Sequence, residues 1–207
     1  MLGRFSASGC RQFPSNQRRS LVKKSVFFTV AAVAVAVVVV VTVATFVTVR
    51  AADDQTMPTV GQAAPTFTLP SQDGSRISLN SFHGKWVVLY FYPKDMTKGC
   101  TIEAHNFQRD QAKFDAANAV ILGVSVDTPD SHKEFCTKEG LTFRLLADPE
   151  HKVVDEYGSL GHFGTMTIAV RNTFLIDPNG KIVKEWTKVD PTVHSEEVLA
   201  ALAELKK

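Results

Sequence analysis

Cysteine is scarce in this chain of 207 residues, and acid is missing altogether from its first 52. Three cysteines cannot staple a chain of this length, and the odd count leaves one without a partner. Each is therefore a possible reactive thiol or ligand before it is a cross-link. Twelve glycines and nine prolines are too few for a collagen-like or linker-dominated protein. With 44% hydrophobic and 21% charged residues, disorder throughout is excluded too. The length fits one ordinary domain with an extension and excludes two full-size domains.

The acid-free leader carries Arg4, Arg11, Arg18, Arg19, Lys23, Lys24 and Arg50, which hides the sign of the rest. Without those seven, 16 basic residues face 21 acidic ones, a net of −5. No basic stripe interleaved with aromatics exists in this mildly acidic body, so nucleic acid is not an expected partner.

Val26 to Val49 is an apolar run broken by four threonines and by no charge, Gly or Pro. As a helix it would reach roughly 36 Å, beyond the roughly 30 Å hydrocarbon core of a bilayer. Signal peptides usually have apolar regions of about 7 to 15 residues, so an uncleaved transmembrane anchor is the favoured reading. The alternative is a long signal sequence cut after Ala51 or Ala52, giving a secreted body. Residues 1–25 then form a cationic cytoplasmic leader, and 50–60 a linker. The domain of 61–207 lies on the extracytoplasmic side, because the cations precede the span. Cys10 precedes the apolar run and reads as a bystander.

Beyond the linker, Asp73-Gly74 supplies a turn between Thr66 to Leu69 and Arg76 to Leu79. Trp86 to Tyr92 is an unbroken apolar and aromatic strand, suited to cover on both faces. The pattern then predicts helix over Cys100 to Ala116 and strand over Ala119 to Asp127. It continues with helix over Pro129 to Glu139, strand over Arg144 to Ala147 and helix over His151 to Tyr157. Strands Thr173 to Ile176 and Ile182 to Trp186 precede a last helix from His194 to Leu205. This order gives an α/β domain with a central sheet and helices on both faces, similar to the thioredoxin-type arrangement.

The chemistry concentrates in YFYPKDMTKGCTIEAHNF, which passes from a buried strand through a tight loop into the first turn of a helix. If Thr97 caps that helix, Cys100 is its third residue, where free N–H groups and the positive dipole end favour a thiolate. A buried, inert cysteine is the competing reading, and the polar junction speaks against it.

PKDMTKGC carries Pro93, Thr97 and Cys100 in the Pro-x-x-x-Thr-x-x-Cys register, and here the chain resembles the peroxiredoxins. The bacterioferritin-comigratory-protein, or peroxiredoxin Q, subfamily is the nearest in kind. SVDTPDSHKEF, RNTFLIDPNGKI and VDPTVHSEEVLAAL read like that group in the same order, from about Val60 to the C-terminus. The resemblance implies a thioredoxin-like fold with a central mixed sheet. It implies a thiol peroxidase in which Cys100 attacks hydrogen peroxide or an organic hydroperoxide and becomes a sulfenic acid. Thr97 would bond peroxide and thiolate, Pro93 would shield the sulfur, and Arg171 would hold the developing negative charge. No cofactor or metal is implied; the partners are a hydroperoxide substrate and a thioredoxin-like protein reductant, and a monomer is expected.

One departure bears on resolution of the sulfenic acid. Many subfamily members have a second cysteine five residues after the first, where this chain has His105. The resemblance offers Cys136 instead, in SHKEFC, as the resolving thiol of an intramolecular disulfide. Local unwinding around both cysteines is then required, since disulfide geometry demands Cα atoms about 4.4 to 6.8 Å apart. The plainer reading of Cys136 is a packing residue, and of His105 a helix-surface histidine. A thioredoxin-like disulfide reductase or metallochaperone lacks support, because Cys-x-x-Cys and metal-ligand cysteine spacing are absent. An exported thiol redox sensor or thioredoxin-like adaptor without peroxidase turnover remains the alternative.

Overall fold

A computed structural model describes residues 57–206. The Val26–Val49 span and Cys10 lie outside the described residues. Among those residues no helix is long and apolar enough to cross a membrane.

The elements in chain order are β1 (Thr68–Pro70), β2 (Arg76–Ser78), a 3-10 turn (Leu79–Phe82), β3 (Trp86–Phe91), α1 (Lys98–Ala116), β4 (Ala119–Ser125) and α2 (Pro129–Glu139). They continue with β5 (Arg144–Ala147), α3 (Lys152–Glu156), β6 (Leu160–Phe163), β7 (Met166–Ala169), β8 (Asn172–Ile176), β9 (Ile182–Thr187) and α4 (His194–Leu205). The main sheet has the order β5-β4-β3-β8-β9. Its β3, β4 and β5 run parallel, and β8 and β9 are antiparallel additions. The sheet is therefore mixed, as expected.

β3 is the middle strand, and its two-faced burial explains its unbroken apolar run. Val88 and Tyr90 join a cluster with Ala104, Phe107 and Phe114 of α1, Phe135 of α2 and Val198 and Leu202 of α4. Val87, Leu89 and Phe91 join the opposite cluster with Leu69, Leu79, Val153, Val154 and Tyr157. Three long helices thus cover one face, while the short α3 and the β1–β2 hairpin cover the other. At about 25 cal/mol per Å² of apolar surface, burial on both faces anchors β3 firmly in the core. The loop leaving its C-terminal end starts from a rigid base.

The sequence pattern missed the β6–β7 hairpin. Its strands are four residues each, and its tip exposes Phe163 and Met166, so it carries no buried alternation to read. Element ends elsewhere shift by one or two residues; the helix expected from Cys100 begins at Lys98, because Thr97 is its N-cap.

Candidate active site

Pro93 to Thr97 carry the chain from β3 into α1. The turn passes through Met96 in the left-handed region, φ 58°, a conformation that costs a non-glycine residue on the order of 1 kcal/mol or more. Thr97 is the N-cap of α1, with extended backbone, yet its side chain makes no capping hydrogen bond. Its hydroxyl instead lies 2.9 Å from Cys100 Sγ and 3.0 Å from the carbonyl of Lys94. A hydroxyl has one proton, so Thr97 donates to one acceptor at a time. Giving up a cap costs about 1 kcal/mol, whereas a hydrogen bond to a charged acceptor is worth about 1.5–3 kcal/mol.

Cys100 is the third residue of α1 and 2% exposed, at the end of the helix where backbone N–H groups are unpaired. Arg171 supplies the second donor, with Nη2 3.2 Å from Cys100 Sγ. β3 pairs antiparallel with β8, Tyr90 opposite Thr173, so the residue before β8 comes beside the end of β3. Arg171 reaches the cysteine from there.

Two residues that the sequence reading did not single out position this arginine. Glu103, one turn after Cys100, accepts a hydrogen bond from Arg171 Nη1, and its side chain is 1% exposed. Burial pushes the Glu103 carboxyl up to about 7, while the charge and hydrogen bond of Arg171 pull it back. Gly99 is the other: a Cβ there would lie 2.8 Å from Arg171 Nη2. The guanidinium passes where a side chain would be. Glu103 has a detectable signal, an acid at a helix position three after the cysteine; Gly99 has none without the partner it accommodates.

Pro93 and Arg171 line one groove of about 560 Å³, with Phe163, Ala169, Val170, Thr187 and Val189 among its walls. Its walls are mostly apolar, and it shares Arg171 with the Cys100 contact. The exposed tip of the unforeseen β6–β7 hairpin forms part of this wall.

Cys136 sits in the last turn of α2, buried and free, in the same core cluster as Cys100. Burial pushes its thiol up to about 11, and the charge of Asp95 adds to the effect. No disulfide joins the two cysteines. Cys100 occupies the first turn of α1 and Cys136 the last turn of α2, where the Cys136 carbonyl accepts from the N–H groups of Gly140 and Leu141. His105 is half-exposed, and its Nε2 lies 2.9 Å from Glu139 Oε2 at the end of α2. It ties the two cysteine-bearing helices and does not touch the sulfur. Among the described residues, no cluster of three or more His, Cys, Asp or Glu is arranged to hold a metal ion.

The structure thus brings Thr97, Cys100 and Arg171 into direct contact, places Pro93 on a groove that Arg171 also lines, and leaves Cys136 a free thiol. Comparison with known proteins points the same way. The model of the AhpC/TSA family matches residues 60–185. Peroxiredoxin Bcp of Bacillus subtilis is 41% identical over 152 residues, covering 72% of this chain and 97% of that protein. Peroxiredoxin Bcp of Escherichia coli is 38% identical over 148 residues, covering 70% and 95%. Among solved structures, Xanthomonas campestris peroxiredoxin Q superposes with a TM-score of 0.65 at 37% identity, covering 68% of this chain and 92% of that one. A cysteine variant of Xylella fastidiosa PrxQ gives 0.70 at 32% identity, covering 73% and 99%.

Proposed function

The chain belongs to the AhpC/TSA family, as a peroxiredoxin of the Bcp and Q kind, and from that membership we propose how its own residues perform thiol-dependent peroxide reduction. The Cys100 thiolate attacks one oxygen of the peroxide. The S–O bond forms as the O–O bond breaks, and the departing oxygen leaves as water or alcohol after taking up a proton. Negative charge spreads from sulfur to the leaving oxygen during this displacement. Fixed donors aimed at that path lower the barrier, typically by about 2–4 kcal/mol each. The observation that carries the reading is the convergence of Thr97 Oγ1 and Arg171 Nη2 on Cys100 Sγ at 2.9 and 3.2 Å. Pro93 and the apolar groove beside it screen the sulfur from bulk water and receive the organic part of a hydroperoxide.

The product is a sulfenic acid on Cys100, and Cys136 resolves it as an intramolecular disulfide. Support comes from spacing. Xanthomonas campestris peroxiredoxin Q has been solved as two cysteine-to-serine variants whose substituted cysteines lie 36 positions apart, the separation of Cys100 and Cys136 here. Fraying of the first turn of α1 and the last turn of α2 allows the two sulfurs to meet. A thioredoxin-type dithiol then reduces the disulfide by exchange. The domain works at the extracytoplasmic face of a membrane, held by the Val26–Val49 span. Its reductant is therefore a dithiol protein on that side. Protease added to sealed cells should degrade the domain; protection, or recovery in the soluble cytoplasmic fraction, rejects this topology.

The test of the central reading is Cys100→Ser. Peroxide consumption should vanish while the unfolding midpoint stays near that of the parent, and retained consumption rejects the assignment.

A further inference from the structure

Of the loop residues Pro93 to Thr97, only Asp95 is buried, at 5% exposure. Its Oδ1 accepts from Tyr92 Oη at 2.7 Å; its Oδ2 accepts from Ser131 Oγ at 2.7 Å and lies 2.8 Å from His132 Nδ1. Its backbone N–H donates to Asp127 Oδ2 at 2.9 Å, and that same oxygen accepts from Ser125 Oγ at 2.8 Å. Tyr92 follows β3, Ser125 ends β4, and Ser131 and His132 lie in the first turn of α2. One residue thus fastens the loop to the ends of three elements. Among the described residues, every hydrogen bond from residues 93–97 to the β4–α2 side is made by Asp95. A buried carboxylate is tolerated only where it is paired and hydrogen-bonded. Burial raises the Asp95 carboxyl, but the contacts with His132, Ser131 and Tyr92 outweigh it and hold the group below its ordinary value. The charge is part of the fastening.

The loop needs such a fastening. Met96, the next residue, holds φ 58° and is 37% exposed, so its own side chain gives the strained turn little packing in return. A strained conformation persists only where its surroundings over-determine it. On the other side of Asp95, the carbonyl of Lys94 accepts from Thr97 Oγ1 at 3.0 Å, and the same hydroxyl lies 2.9 Å from Cys100 Sγ. Asp95 sits between Lys94 and Thr97 in the chain, and none of its own hydrogen bonds reaches Thr97 or Cys100. It acts on the sulfur through the path of the loop.

We propose that Asp95 is a positioning residue that latches the active-site loop to β4 and α2, and that this latch keeps Thr97 on Cys100 Sγ and the sulfur covered. The peroxide reaction needs its donors held in place, whereas a small alkylating electrophile needs only an accessible sulfur. Opening the latch therefore drives the two reactions in opposite directions. Cys136 offers an internal control. The latch grips the first turn of α2, while the last turn is closed separately by the N–H groups of Gly140 and Leu141 on the Cys136 carbonyl. Loss of Asp95 contacts should leave that end of the helix as it is.

The inference rests on Cys100 being the peroxide-reactive thiol, and is independent of how its sulfenic acid is resolved. In the full-length reduced protein, Asp95→Asn keeps the shape and one acceptor oxygen and removes the charge and the second acceptor. Rapid mixing with hydrogen peroxide, acid quench and mass analysis give the rate of oxidation at Cys100. Iodoacetamide labelling with peptide mapping gives separate rates for Cys100 and Cys136. Oxidation should slow by about tenfold or more and Cys100 labelling should rise by about threefold or more, with Cys136 labelling within about twofold of the parent. Ser131→Ala removes one donor and no charge. It should show the same split in smaller measure, and it carries the test if Asp95→Asn does not fold. Parental rates in the folded variant that carries the test overturn the latch. An equal rise in labelling of both cysteines overturns it too, as a sign of general loosening, and so does slower oxidation without faster Cys100 labelling. A parent whose Cys100 is not oxidised by peroxide rejects the peroxidase reading, and the labelling rates still judge the latch.

Discussion

Arg171 donates to Cys100 Sγ across 3.2 Å, although 71 residues separate the two in the chain. The same guanidinium donates through Nη1 to Glu103, so one planar side chain spans a buried carboxylate and the reactive sulfur. Its fork geometry does what a point charge on a flexible stem cannot.

Arg171→Ala should lower kcat/KM for hydrogen peroxide by about 30- to 1000-fold, equivalent to about 2–4 kcal/mol. Arg171→Lys should recover only part of it, because an ammonium does not hold Glu103 and the sulfur in the same plane. Stopped-flow peroxide reduction checks both. An alanine variant at the parental rate removes the arginine from the mechanism.

Gly99→Ala should impair the reaction with little effect on folding. The added Cβ meets the far end of Arg171 at 2.8 Å, and the easiest relief is for the guanidinium to move off the sulfur. A drop of about tenfold or more in kcat/KM, with an unfolding midpoint within a few degrees, is the expected pair of results. An unchanged rate would show that the arginine tolerates the intrusion.

Glu103→Gln tests the raised carboxyl. Its value in the folded protein, about 7, lies above the ordinary 4.5. The stability that Glu103 contributes is thus complete below pH 4.5 and is lost as pH rises through 7. Glutamine does not titrate, so the stability of the variant relative to the parent should rise between pH 5 and pH 8 by about 2.5 kcal/mol. Urea unfolding at the two pH values measures it, and a flat difference refutes the shift.

Cys136→Ser should still react once with peroxide. Its sulfenic acid then finds no internal thiol, so turnover with a thioredoxin-type reductant should fall and sulfinic acid should accumulate with peroxide dose. The parent should lose about 2 Da on oxidation, the mass of two hydrogens, and yield a linked peptide after non-reducing digestion. Normal turnover in the variant, without such a peptide in the parent, would make Cys136 a packing residue and the resolving thiol external.

Sequence alone determined the features that are local. The run from Trp86 to Phe91 reads as a doubly covered strand because both alternating sets are apolar, and the loop from Pro93 to Cys100 carries its register within eight residues. α2 and α4 match the pattern end to end, since Pro129 and Gly140 bracket one and an apolar stripe marks the other. Tertiary structure decided whatever depends on elements meeting. The antiparallel register of β3 and β8 carries Arg171 to the sulfur, and Gly99 matters only because that arginine passes over it. His105 acquires its role from Glu139 on another helix, and His132 its orientation from Asp95 in the active-site loop. Periodicity reports which face of an element is apolar; it holds no information on which distant side chain that face will meet, and this site is assembled from such meetings.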